Sequence, residues 1–155
     1  MIIAQRNNYS DTALRWLDSF ALDLNLFNMQ THTTQPHFDF QKLEVHKKAK
    51  EFHSGCKAIL SSAPLERYAK DQLARASHSI VLNIAEGSGR ITPADRRNFF
   101  ATSRASVFEC VAILDLLLDE KHIGAELYQL QLQRAGEISK MLFVMIRNLS
   151  DLKRS

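Results

Sequence analysis

The scarcity of proline and glycine is the feature that most limits what this chain can fold into. Its 155 residues include 3 prolines and 5 glycines, where average usage would supply roughly 8 and 11. Leucine and alanine are abundant and valine is scarce. This composition favours helices and lacks the turn residues that a sandwich or barrel of many short strands needs. The length suits one domain with its own core.

Proline and glycine also divide the chain into segments, because proline is excluded from helix interiors. The breaks fall at Pro36, Pro64, Gly87, Gly89, Pro93 and Gly124. Four long helices are predicted between them: residues 40–60, residues 65–86, a third from Pro93, and residues 125–152. Four helices with short connections predict an all-α, antiparallel up-down-up-down four-helix bundle over residues 38–155.

Apolar residues recur at spacings of three and four in each segment, as on one face of a helix. The first stripe comprises Val45, Ala49, Phe52, Cys56 and Ile59, and the second Ala69, Leu73, Ala76, Ile80 and Ile84. The third comprises Phe100, Ser103, Val107, Cys110, Leu114 and Leu117, and the fourth Leu127, Leu130, Ile138, Met141, Met145 and Leu149. Asp39 is the predicted N-cap of the first helix, and Gly87 the predicted left-handed residue that ends the second.

The third helix has the clearest start and the widest apolar surface. Thr92 is placed to cap it, with Pro93 in the first helical position and Asp95 two residues later. A second apolar row contains Phe99, Phe108, Val111 and Leu118. A helix that is apolar on two sides needs two neighbours. The bundle accounts for one side, and a subunit interface could account for the other.

Residues 1–37 differ from the rest, being rich in Asn, Thr and Gln. We interpret them as an N-terminal extension. Leu14, Leu17, Ala21 and Leu24 suggest a short amphipathic helix, while a loose, poorly ordered extension is the alternative.

Several functional classes lack support in the sequence. No apolar run approaches the ~20 residues of a membrane span, and no signal peptide begins the chain, so a cytoplasmic location is expected. His46 and His53 could share a helix face, but no Glu-x-x-His pair accompanies them, so no metal or cofactor is predicted. Cys110 lies on an apolar stripe, which favours a structural thiol over a nucleophile. We therefore expect no enzymatic activity.

Three polar residues lie near predicted apolar stripes: Asn83, Glu86 and Glu109. Polar groups near a core need hydrogen-bond partners. The favoured interpretation is a structural cluster that fixes helix register or a subunit contact. A binding site is the alternative.

Basic residues are the remaining functional signal. Arg90, Arg97 and Arg104 recur at intervals of seven with Arg96 adjacent, Lys47 and Lys48 decorate the first helix, and Lys140 and Arg147 form a seven-spaced pair on the fourth. Cations along a rod suit phosphate contacts, although an ordinary solvated surface is the alternative. The net charge is only +3, so oligomerisation would be needed to build a strong field.

Two stretches resemble a known family. The run Asn83-Ile84-Ala85-Glu86-Gly87-Ser88-Gly89-Arg90 and the opening Phe40–Ala49 helix resemble the four-helix-bundle family of 23S rRNA intervening-sequence proteins. Weaker matches are Phe99-Phe100, Ala105-Ser106, Glu109 and Ile138–Leu142. The resemblance implies a bundle that assembles into a ring, most often a homopentamer, and a link to RNA. Relatives serve as accessory proteins of diversity-generating retroelements, where a basic pentamer binds a reverse transcriptase.

The sequence therefore predicts a non-enzymatic oligomer that binds the phosphate backbone of RNA or DNA. The expected phosphate contacts come from Arg90, Arg96, Arg97, Arg104, Lys47 and Lys48, with Asn83, Glu86 and Glu109 ordering the bundle or its interface. The alternative is a protein-interaction scaffold, or an accessory subunit of a reverse transcriptase, without direct nucleic-acid readout.

Overall fold

Helices account for nearly all of the chain that the computed structural model describes, namely residues 38–63 and 65–151. The elements are α1 (Asp39–Lys42), α2 (Glu44–Ser62), α3 (Arg67–Gly89), α4 (Pro93–Asp119) and α5 (Ala125–Asp151). Each long helix packs against the next one along the chain, and α2 also packs against α5. The four long helices therefore form one packed bundle. The predicted helix at residues 14–24 lies outside the described residues.

The predicted apolar stripes form the core. The stripes of α2 and α4 are buried throughout, and so are Leu73, Ala76, Ile80 and Ile84 of α3. The stripe of α5 was predicted less well, because Leu130 is 45% exposed whereas Gln131, Ala135 and Leu142 are buried. The predicted start at Leu127 does pack against the core, but the buried face then passes through Gln131 and Ala135 instead of Leu130.

The first predicted helix is broken near its start. Leu43 adopts extended backbone (φ −65°, ψ 127°) and separates the single turn of α1 from α2. Asp39 is not the N-cap but the first residue of α1. Phe38 is the N-cap instead, and its N–H donates to Gln41 Oε1 at 3.0 Å. The break lets the ring of Phe40 meet that of His46 edge-on at 4.9 Å.

Gly87 does not end α3, so the prediction of a left-handed residue at this position is wrong. The helix continues to Gly89, and Arg90 is its extended C-cap. Gly87 is buried against Phe100, whose ring carbons would lie 2.8 and 2.9 Å from a Cβ at this position. The glycine therefore permits close packing of α3 on α4 rather than a left-handed turn.

The start of α4 is as the sequence predicts. Thr92 Oγ1 accepts a hydrogen bond from the backbone N–H of Asp95 at 3.1 Å, and Pro93 occupies the first helical position. Both apolar rows of α4 have neighbours within the chain. Val111 and Leu118 are half-buried against the core, and α4 packs on both α3 and α5. Phe108 of the second row is exposed, and the subunit interface predicted along this row stays a prediction.

The cap of α4 supports a direct test. Thr92→Ala removes the acceptor for Asp95 N–H and should destabilise the protein by about 1 kcal/mol. Thermal unfolding followed by circular dichroism measures the loss. Thr102 is a matched control, because its hydroxyl bonds only to the Asn98 carbonyl within α4. Thr102→Ala should be neutral or slightly stabilising, and equal losses in the two variants would contradict the capping role.

Candidate nucleic-acid interface

Arg104 lies at the centre of a surface shared by α4 and α5. Its Nε donates to Ser139 Oγ of α5 at 3.2 Å. Its guanidinium lies 4.9 Å from the ring centre of Phe108 on α4 and 5.5 Å from that of Phe143 on α5. Both rings are largely open to solvent, at 56% and 51% exposure. Arg104 is thus held between two exposed aromatic rings on neighbouring helices.

Three more cations extend this surface. Arg97 lies two turns before Arg104 on the same side of α4, and Lys140 and Arg147 lie one turn to either side of Phe143 on α5. We call these residues the α4–α5 basic strip: Arg97, Arg104, Phe108, Lys140, Phe143 and Arg147. Within residues 38–63 and 65–151, none of its four cations lies within 4.0 Å of a carboxylate. No direct ion pair among the described residues therefore neutralises them.

Arg90 is held differently. Its Nη2 donates to Glu86 one turn earlier, and its guanidinium lies 4.5 Å from the ring centre of Phe99. These contacts fasten the end of α3 to the start of α4. Two residues for which the sequence predicted separate roles, Arg90 and Glu86, form one ion pair on the surface.

Arg96 turns away from the strip although it is adjacent to Arg97. It is half-buried, and its Nη2 donates to the Ser88 carbonyl at 3.3 Å. It lines a cavity of about 290 Å³ beside Phe40, Phe100 and Met145. The structure thus separates Arg96 from Arg97 and Arg104, with which the sequence grouped it.

The two predicted lysines of α2 both have carboxylate partners. Lys47 lies 3.6 Å from Glu44 in an exposed pair. Lys48 Nζ donates to Glu137 Oε2 of α5 at 2.6 Å. This hydrogen bond raises the pKa of Lys48 and lowers the pKa of Glu137. Lys48 therefore ties α2 to α5 across the bundle.

The link between Lys48 and Glu137 should respond to pH. Because the pKa of Glu137 is lowered on folding, its stabilising effect is present above the unfolded value of about 4.3 and is lost as the pH falls through the folded value. The loss of stability caused by Glu137→Gln should shrink over that range in urea titrations. In a Lys48→Met background the same substitution should show a much weaker pH dependence, because only Gln133 and Lys140 then lower the pKa of Glu137. An undiminished pH dependence there would contradict the assignment.

Glu109 lines a groove between α3 and α4, and Asn83 is bonded to Ser79, which lines the same groove. Asn83 Nδ2 donates to the Ser79 carbonyl at 2.8 Å and to its hydroxyl at 3.0 Å. The Ser79 and Ser106 hydroxyls lie 2.9 Å apart across the groove, and Glu109 lines it while remaining exposed. Asn83 is thus bonded to Ser79 of its own helix, and Ser79 in turn meets Ser106 of α4.

His46 and His53 each contact a neighbouring side chain, and both cysteines are buried. His53 Nδ1 lies 2.9 Å from Ser77 Oγ, and burial lowers the pKa values of His53 and His46. His46 contacts Phe40 instead, so the two rings do not converge. No group of three metal-ligating side chains occurs in the part of the chain described. Cys56 and Cys110 are buried, and burial raises the pKa of Cys56 to about 12.

Sequence patterns missed the aromatic half of the strip. Phe143 belongs to no predicted stripe, and its proximity to Arg104 depends on how α4 and α5 pack. One signal was available: Phe143 falls between Lys140 and Arg147, three residues from one and four from the other. Such spacing places all three on one side of a helix.

The fold and this surface define a class, the helical-bundle proteins with a basic and aromatic outer face. The chain belongs to the 23S rRNA-intervening sequence protein family, whose family model matches residues 41–144. A similar crystal structure is that of a protein of unknown function from the S23 ribosomal protein family of Bacteroides thetaiotaomicron VPI-5482. The two chains are 27% identical with a TM-score of 0.62, covering 66% of this chain and 97% of that one. A search of curated proteins found no match.

None of α1 to α5 combines the length and the apolar character that a membrane span requires.

Proposed function

We propose that this protein is a non-enzymatic, oligomeric nucleic-acid-binding protein that associates with RNA in the cytoplasm. The observation that carries the proposal is the α4–α5 basic strip, whose four cations have no carboxylate partner among the described residues. Cations arranged along two rods at fixed spacing suit the phosphate backbone. Membership of the 23S rRNA-intervening sequence protein family supports RNA as the polyanion.

Within this proposal the six predicted phosphate-binding residues divide into two groups. Arg97 and Arg104 lie in the strip and contact phosphates directly. The other four are paired with a carboxylate or a backbone carbonyl within the chain: Arg90, Arg96, Lys47 and Lys48. Each would have to release a partner before binding a phosphate, so they contribute less to affinity.

The proposal includes the antiparallel up-down-up-down arrangement. The links between the long helices are short, and each of these helices packs on the next. Helices joined by a few residues can pack along their lengths only if they run in opposite directions.

We also propose self-association, with the homopentamer that the family resemblance implies. A largely apolar groove of about 500 Å³ between α2 and α5 is lined by Leu43, Val45, Met141, Val144 and Met145, with Glu44 and with Lys140 of the α4–α5 basic strip at its edge. Val144 remains 43% exposed there, and a second copy would cover it. Sedimentation velocity over a range of protein concentrations tests this, and a monomer throughout would contradict it. Five copies would carry five times the charge of +3, which strengthens attraction to a polyanion.

Binding itself is tested by electrophoretic titration with structured rRNA fragments at two salt concentrations. Affinity should fall steeply with salt, because neutralising phosphates releases condensed counterions. No binding at low salt, or an affinity that does not change with salt concentration, would overturn the proposed function.

A protein-interaction scaffold is the second candidate, and the α2–α5 groove is the observation in its favour. In this case the groove would hold a partner such as a reverse transcriptase. A pull-down that still recovers the same protein after nuclease treatment, with a groove variant such as Val144→Asp failing to do so, would support the scaffold over direct nucleic-acid binding.

A further inference from the structure

We propose that Phe108 and Phe143 form a stacking platform for unpaired bases, so that the α4–α5 basic strip prefers single-stranded RNA to duplex. This inference rests on the proposed nucleic-acid binding and specifies which form is bound. Its basis is the placement of two exposed rings on either side of the Arg104 guanidinium, 4.9 and 5.5 Å from their centres.

The platform is fixed in position by the bundle. One ring projects from α4 and the other from α5, and the hydrogen bond from Arg104 to Ser139 joins the two helices between them. Because the groups stand on packed helices rather than a loop, little conformational entropy is lost when a base binds.

The surrounding charge indicates which occupant the platform suits. Arg97, Lys140 and Arg147 flank the rings, and Arg104 lies between them. A second copy docking through the same surface would bring cations against cations, which costs free energy. A nucleic-acid strand offers the complementary arrangement, with apolar base faces for the rings and phosphates for the cations.

The geometry also distinguishes unpaired from paired bases. In a duplex each base face is already covered by its neighbours in the stack, so the rings would meet only the sugar-phosphate exterior. In a single strand the faces are open, and aromatic side chains bind them with little regard to sequence. The strip therefore combines base stacking with phosphate contacts on unpaired segments such as loops and ends.

The test compares two fluorescein-labelled RNAs by anisotropy at low salt: a single-stranded oligouridylate and a blunt duplex of the same length. Phe108→Leu, Phe143→Leu and the double variant keep apolar bulk but remove the aromatic faces. Each single variant should bind the single strand roughly 5- to 150-fold more weakly, as expected from ~1–3 kcal/mol per stacked base. The double variant should bind it more weakly still, with little change for the duplex. Tyr68→Leu, an exposed aromatic of α3, is the matched control and should change neither affinity.

Base stacking itself is monitored with 2-aminopurine in the single strand, whose fluorescence should be quenched by the wild type and less so by the double variant. Equal losses for the two RNAs, or no loss in the double variant, would overturn the platform while leaving nucleic-acid binding intact. A change of oligomeric state in the double variant would assign the rings to a subunit contact and also overturn it. Failure of the wild type to bind either RNA would instead overturn the proposed function.

Discussion

Gly87→Ala should destabilise the bundle by about 1–2 kcal/mol, although alanine is the better helix former. A Cβ at this position would lie 2.8 Å from the ring of Phe100 and 3.0 Å from Phe99 Cβ. Phe100 is only 4% exposed and packs in the core, so it cannot move aside freely. Overpacking of this kind costs about 1–3 kcal/mol, which exceeds the gain of about 0.5–1 kcal/mol from removing a glycine in a helix.

Gly136→Ala is the matched control and should have the opposite sign. A Cβ at Gly136 would meet nothing within 4 Å, so only the helix propensity gain of about 0.5–1 kcal/mol remains. Urea unfolding curves of both variants, with unchanged m values, give the two free-energy differences. Stabilisation by Gly87→Ala would show that α3 and α4 are not in close contact at this point.

A different pair of glycines, Gly55 and Gly136, shows how much sequence patterns could establish about packing. Gly55 and Gly136 both stand inside predicted helices, where a close approach of another element is the usual reason for a glycine. A Cβ at Gly55 would collide with the carboxamide of Gln131 on α5, whereas Gly136 faces open space. The sequence of α2 or α5 alone carries no information that distinguishes these cases, since the contact depends on how the two helices meet.

Features that depend only on residues close together in the chain were predicted correctly. Thr92 caps α4 because its hydroxyl and the Asp95 N–H are three residues apart, a separation set by the chain itself. The apolar stripes of α2 and α4 are buried because helical periodicity determines which residues share a face. The break at Leu43 was missed, since no proline or glycine marks it and the contact of Phe40 with His46 that accompanies it depends on packing.

The candidate site was predicted in part for the same reason. The interval of seven residues correctly places Arg97 and Arg104 on one side of α4. It could not show that Arg96 turns toward Ser88 or that Lys48 bonds to Glu137 on α5. These partners lie on other helices or come together across a connection. The role of each cation thus depends on tertiary packing, although its position on its own helix does not.

Removing the four cations of the α4–α5 basic strip should have the largest effect on binding. The variant combines Arg97→Gln, Arg104→Gln, Lys140→Gln and Arg147→Gln. Each lost phosphate contact reduces the salt slope by about 0.7 for a single strand, so the slope of log affinity against log salt should become shallower by about 3. Affinity for single-stranded RNA at low salt should fall by roughly 100-fold or more, as measured by anisotropy titrations at several salt concentrations.

The control for this variant must remove the same charge elsewhere, because loss of net charge weakens attraction to any polyanion. Four glutamine substitutions on α2 and α3 meet that need, at Lys50, Lys57, Arg67 and Lys70. If a localised site exists, the control should retain most of the affinity and nearly all of the salt slope. If both variants lose affinity and slope equally, binding is a property of total charge and the strip is not the site. The comparison therefore separates contact at defined positions from attraction by the net charge of the assembly.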